Sequence, residues 1–93
     1  MSPEHLQALL AVAEAKKDEK GWSKVPNGRL ITLYAASNGA GLTVSRIEAV
    51  RLEDGLLKLR TVRSEIFVLA LVDVYGGAVE APAAAGGRKA GFV

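Results

Sequence analysis

Apolar residues follow a helical spacing near the start of the chain. The residues that share one helical face, at the spacing i, i+3, i+4, i+7, are Leu6, Leu9, Leu10 and Ala13. Ser2 can cap such a helix, and Pro3 suits its first position because proline lacks an N–H that the first turn leaves unpaired. Lysines and then Gly21 follow, which favours an end before that glycine. The pattern predicts a helix over residues 3–18.

From Arg29 onward, apolar residues alternate with polar ones, which is typical of half-buried strands. Two dipeptides, Asn38-Gly39 and Asp54-Gly55, interrupt the alternation. Both are preferred in two-residue hairpin turns, because asparagine, aspartate and glycine adopt positive φ readily. The predicted strands cover residues 29–36, 41–53, 56–62 and 65–75.

Pairing the strands around these two turns separates apolar from polar side chains. Around the first turn, Leu33 lies opposite Val44. Around the second turn, Val50 lies opposite Leu59. In both hairpins the polar residues collect on the other face, and a shift of one residue would reverse every side chain, so the sequence predicts this register.

The longest predicted strand does not keep one alternation along its whole length. Its even-numbered positions point inward at both ends, yet Arg46 and Glu48 are even-numbered and Ile47 is odd-numbered. A β-bulge at these residues corrects the alternation and bends the strand, which lets it serve two packed layers. The alternative is a short helix within residues 45–54, with Ser45 and Glu48 as its capping box, although its apolar residues fit helical spacing poorly.

The stretch from Ile66 to Tyr75 is apolar on both faces and carries one charged residue, Asp73. The predicted helix is short and rich in alanine, so it covers only part of this strand. Exposed apolar patches and edges usually mark interfaces. We therefore predict that one face of the strand contacts a second copy of the chain, or another protein. The residues of that face are Phe67, Leu69, Leu71, Asp73 and Tyr75.

Basic residues form one cluster in the predicted register. Its members are Arg51, Lys58, Arg60 and Arg63. A solvated charged face is the simplest interpretation, and the alternative is a nucleic-acid-binding module, because clustered lysine and arginine side chains bind phosphates. No aromatic residue interleaves with the cluster, which argues against base stacking. The net charge of the whole chain is +2, well below that of a dedicated nucleic-acid clamp.

The chain offers few groups for catalysis or metal binding. Its 93 residues include no cysteine and one histidine, His5. Transition-metal sites need several such ligands, and no glycine-bearing segment matches a phosphate loop. We therefore expect no enzyme activity, no catalytic residues, no cofactor and no metal. No apolar run approaches the ~20 residues of a membrane span, so we also expect no membrane binding and a cytoplasmic location.

The expected fold is α+β, with one domain over residues 1–80 and a flexible tail over residues 81–93. An N-terminal helix packs on a strongly bent antiparallel sheet of about four to five strands, or on a small SH3- or Sm-like barrel. The layout of the domain is similar to that of Sm-like barrels, which are RNA binders that form rings by pairing subunits edge to edge. Asp54-Gly55 and Asp73 lie in regions comparable to that family's loop motifs without matching them. The resemblance therefore implies no binding residues.

Overall fold

A computed structural model describes residues 1–80, and the predicted tail, residues 81–93, lies outside them. One helix, α1, is followed by seven strands, with a 3₁₀ turn between the last two. The elements are α1 (Pro3–Val12), β1 (Lys16–Lys17), β2 (Ser23–Lys24), β3 (Leu30–Ser37), β4 (Ala40–Glu53), β5 (Leu56–Thr61), β6 (Ile66–Ala70), the 3₁₀ turn (Leu71–Asp73) and β7 (Val74–Glu80). Within these residues, no helix is long and apolar enough to cross a membrane.

The strands form one antiparallel sheet that curls strongly into a half-barrel. β3 lies between β4 and β7, and β5 lies between β4 and β6. The two-residue strands β1 and β2 form a small hairpin, and β2 pairs with the second half of β4. The predicted α+β fold, a helix packed on a strongly bent antiparallel sheet, is confirmed.

Both predicted hairpins have the predicted register. Leu33 lies opposite Val44, and Val50 lies opposite Leu59. Both central residues of each turn have positive φ, as a type I′ turn requires. The φ angles are 51° at Asn38, 83° at Gly39, 52° at Asp54 and 77° at Gly55.

The predicted bulge in the longest strand is present. The pairing of β4 with β5 shifts register between Ile47 and Ala49, and Arg46 has a left-handed φ of 57°. The irregularity places Ile47 in the core while Arg46 stays exposed. The alternative of a short helix within residues 45–54 is wrong, because this region is continuous strand as far as Glu53.

The helix ends at Val12, earlier than the predicted residue 18. Ala13 is fully buried, and Glu14 takes a left-handed φ of 58° that turns the chain out of the helix. Arg29 holds this turn with an ion pair to Glu14 at 3.4 Å. Lys16 and Lys17, which favoured a longer helix, lie instead in β1, where sheet pairing replaces helical hydrogen bonds.

The predicted strand over residues 65–75 is two strands separated by the 3₁₀ turn. Leu71 begins that turn, and its N–H donates to the carbonyl of Gly55 at 2.9 Å. Leu71 and Val74 are both buried, and a spacing of three residues places both side chains inward only if the chain coils between them. β7 then runs along β3 to Glu80.

The core lies between the concave face of the sheet and α1. Its largest fully buried side chains are Leu6, Ile31, Leu33, Ile47, Leu57, Leu59, Val50 and Val74. Leu6 and Leu10 of α1 belong to one buried cluster with side chains from β3, β4, β5 and β7. The outer face of β4 and β5 and the edge of β6 away from β5 are among the surfaces left outside this packing, and β1 and β7 also pair on one side only within residues 1–80.

Candidate interaction surfaces

β6 has one paired edge and one open edge within residues 1–80, because its only partner there is β5. Two backbone hydrogen bonds bracket the paired edge. The N–H of Thr61 donates to the carbonyl of Glu65 at 2.9 Å, before β6 begins. The N–H of Leu71 donates to the carbonyl of Gly55 at 2.9 Å, after β6 ends.

These two bonds fix which backbone groups of β6 point outward. In an antiparallel ladder, hydrogen-bonded pairs alternate with pairs that are not hydrogen-bonded. The pairs Leu59–Phe67 and Leu57–Leu69 are therefore the bonded ones. The N–H and carbonyl groups that point to the open edge belong to Ile66, Val68 and Ala70.

The same residues expose apolar side chains. Ile66 is 58% exposed and Val68 is 53% exposed. An open strand edge binds another strand through its backbone, and apolar side chains beside it add burial to that pairing. We use the name β6 edge for Ile66, Val68 and Ala70 together with their outward backbone groups.

The five residues predicted to form a contact face do not share one surface of this chain. Leu71 is buried, and Phe67 and Leu69 are half-buried against the core. Tyr75 is exposed on β7, where its ring lies 6.2 Å from that of Tyr34. The 3₁₀ turn divides the set, and the exposed apolar side chains of β6 point the other way. A contact role for the five residues stays a prediction.

A hollow of about 280 Å³ separates β6 from the tip of the β3–β4 hairpin. Val68, Leu69 and Ala70 line it from β6, and Asp73 lines it as well. The hairpin tip lines the other side mainly with small residues, among them Ala36 and Gly41. Small residues let another backbone approach closely, so the hollow leaves room beside the β6 edge.

Three of the four predicted basic residues share the outer face of β4 and β5. Arg51 lies opposite Lys58, and Arg60 lies two pairs further along, opposite Ala49. Carboxylates offset their repulsion, since Glu53 lies 3.6 Å from both Arg51 and Lys58. Glu48 accepts a hydrogen bond from Arg60 at 3.1 Å.

The fourth basic residue, Arg63, lies apart from this face. It follows β5 in a turn and lines a separate cleft with Ser45, Arg46 and Glu65. The chain changes direction after Thr61, where the hydroxyl of Thr61 accepts hydrogen bonds from the backbone of Arg63 and Glu65. The predicted cluster therefore consists of Arg51, Lys58 and Arg60, which we call the basic face.

An aromatic residue does lie beside the basic face, contrary to the prediction. The guanidinium carbon of Arg60 is 5.2 Å from the centroid of the Trp22 ring, a cation–π distance. Trp22 is the only tryptophan of the chain. The alternation of nearby residues could not predict that Trp22 lies beside Arg60. The contact depends on the pairing of β2 with β4, which are far apart in sequence.

Asp18 organises the loop that holds Trp22. Its carboxylate accepts hydrogen bonds at 2.9 Å from the N–H of Lys20 and of Trp22, and it lies 3.5 Å from the ammonium of Lys24. Desolvation raises the pKa of the Asp18 carboxyl, but these hydrogen bonds and the nearby ammonium outweigh it and hold the pKa below its ordinary value. The charged form of Asp18 therefore stabilises the folded loop.

Acidification is expected to loosen this loop. Since the folded-state pKa of Asp18 is lowered, its stabilisation is complete above the ordinary value of about 4 and is lost as the pH falls through the lower folded value. Fluorescence of Trp22 during an acid titration measures the change. Asp18→Asn removes the titrating group, so this variant should lose the part of the transition that belongs to the loop. Identical titration curves for the two proteins would contradict this assignment.

The β6 edge and the basic face with Trp22 beside it are thus two candidate surfaces of the described residues. Within residues 1–80, no three histidine, cysteine or acidic side chains lie together as a metal site would require. Comparisons of the chain with protein-family models, with curated proteins and with solved structures found no match.

Proposed function

We propose that this chain is a non-enzymatic interaction module that self-associates through the β6 edge. A second copy adds one of its own edge strands to β6, so the sheet continues from one copy into the next. The observation that carries the proposal is the coincidence, on Ile66 and Val68, of outward backbone groups with exposed apolar side chains.

β6 carries none of the features that usually prevent an exposed sheet edge from pairing with another strand, which supports the proposal. Proteins that keep a sheet edge solvent-exposed usually place lysine, proline or a bulge on it. The segment from Ile66 to Ala70 contains neither a charge nor a proline, and its pairing with β5 has no register shift. The hollow beside Val68 gives an incoming strand room next to the small residues of the hairpin tip.

Val68→Glu is expected to abolish self-association and leave the fold intact. A charge on the β6 edge would be desolvated in the contact, which is costly. Glutamate is preferred to lysine at this position because Lys58 lies directly opposite Val68. Its opposite charge should let the monomer tolerate the substitution. Sedimentation velocity measures the mass distribution, and circular dichroism checks the fold.

Val12→Glu is the matched control, because Val12 is 64% exposed and lies on α1 rather than on β6. It should keep the mass of the native chain. If Val68→Glu keeps that mass as well, the β6 edge is not the contact.

The second candidate function is nucleic-acid binding through the basic face. The observation that favours it is Trp22, which lies beside Arg60 and offers an aromatic surface among the cations. Basic grooves that also carry aromatic rings bind single strands through phosphate contacts and base stacking. Such binding should weaken steeply with salt, whereas the apolar β6 contact should not.

A further inference from the structure

A cleft of about 610 Å³ lies between the β1–β2 hairpin and the outer face of β5. Trp22 and Arg60 line it, together with three lysines. The lysines are Lys17, Lys20 and Lys24. The cleft therefore joins residues that are separated in sequence, and it combines an aromatic ring with four cations.

The cleft keeps an excess of positive charge after its ion pairs are counted. Asp18 also lines it, but its carboxylate is already engaged by Lys24 and by two backbone N–H groups. Glu19 is the other acid of the cleft. Within residues 1–80, neither Lys17 nor Lys20 has a carboxylate within 4.0 Å. These two ammonium groups are available to an anionic ligand.

The basic face continues into this cleft. Gly21 has a left-handed φ of 86°, and a Cβ atom built there would lie 3.7 Å from Nε of Arg51. The side chain of Arg51 therefore lies close to the loop that carries Trp22. Arg51 and Arg60 thus both lie near the segment that carries Trp22 and the lysines of the cleft.

We propose that this cleft binds single-stranded nucleic acid, with a base stacked on Trp22 and the neighbouring phosphates held by Lys17 and Lys20. The inference rests on the second candidate function and gives it a site. Every base has an aromatic face, so stacking needs no particular sequence. In a duplex the bases are stacked on one another, so a duplex lacks this contact. An acidic peptide could meet the lysines but has no base to place on the ring.

The single tryptophan makes the test specific to this cleft. The probe is an oligouridylate of about twelve nucleotides, added at about 50 mM salt while Trp22 fluorescence is recorded. We expect saturable quenching, and an affinity that falls as salt is raised. A duplex of equal length should quench far less.

Lys17→Glu and Lys16→Glu form a matched pair of variants. Lys17 lines the cleft, whereas its neighbour Lys16 lines a different hollow beside Glu14. Both changes alter the net charge of the chain equally. We expect Lys17→Glu to weaken binding about tenfold and Lys16→Glu to weaken it less than about threefold, since only the first removes a phosphate contact.

The possible results of this experiment distinguish binding in the cleft from nucleic-acid binding by the basic face in general. Binding of the oligonucleotide without quenching, and with equal losses in both lysine variants, would overturn the cleft and leave nucleic-acid binding by the basic face standing. No binding of single strands at low salt would overturn both. Equal quenching by polyglutamate would show an acidic-peptide site and overturn the nucleic-acid assignment.

Discussion

Leu59→Ala is expected to lower the free energy of unfolding by about 2–5 kcal/mol, the usual cost of removing a buried leucine side chain. Leu59 is fully buried on β5, where it lies between Val50 on β4 and Phe67 on β6. The sheet backbone on both sides limits how far the structure can collapse into the cavity. Small domains have a total stability of only about 5–15 kcal/mol, so this variant should unfold at a much lower urea concentration.

Leu56→Ala is the control for this loss. Leu56 is on the same strand but is 46% exposed, so its truncation should change the free energy of unfolding by about 0.5 kcal/mol or less. Urea titrations of the two variants and the native chain make the comparison. Similar midpoints for Leu59→Ala and Leu56→Ala would contradict the described core.

Gly77→Ala is expected to destabilise the protein by about 1–3 kcal/mol, the usual range for overpacking. A Cβ atom at this position would lie 2.8 Å from the terminal methyl carbons of Leu33 and Leu9, and 3.1 Å from the carbonyl oxygen of Thr32. The leucine methyl groups can move, but the carbonyl belongs to a strand paired with β7. The missing side chain of Gly77 thus lets α1 approach the sheet.

Gly76→Ala is the matched control, because a Cβ atom there would meet nothing within 4 Å. Its stability should equal or slightly exceed that of the native chain, since alanine restricts the unfolded chain more than glycine does. Thermal unfolding of both variants gives the comparison. If Gly77→Ala is as stable as Gly76→Ala, α1 does not pack closely over β7.

Local turn chemistry explains why much of the sheet could be predicted. Asn38-Gly39 and Asp54-Gly55 each specify a two-residue loop, and the loop then fixes which residues face each other. The bulge after Arg46 was predicted from the alternation of apolar and polar residues, because a change in that alternation needs an extra residue in the strand. These predictions depended on neighbours in sequence or on single hairpins.

The predictions that were wrong depended on tertiary contacts. The 3₁₀ turn that begins at Leu71 lies inside an apolar run without glycine or proline, and its one charged residue, Asp73, does not by itself specify a turn. The early end of α1 follows from the burial of Ala13 and the pairing of β1, both of which come from the folded sheet. The approach of Trp22 to Arg60 likewise needs the β2–β4 pairing.

The solution mass of the native chain tests self-association most directly. Light scattering after gel filtration, at low and high salt and over a range of concentrations, gives that mass without a label or a ligand. We expect a multimer at both salts, because the β6 edge contributes backbone hydrogen bonds and the apolar side chains of Ile66 and Val68. A monomer at every concentration and both salts would contradict it.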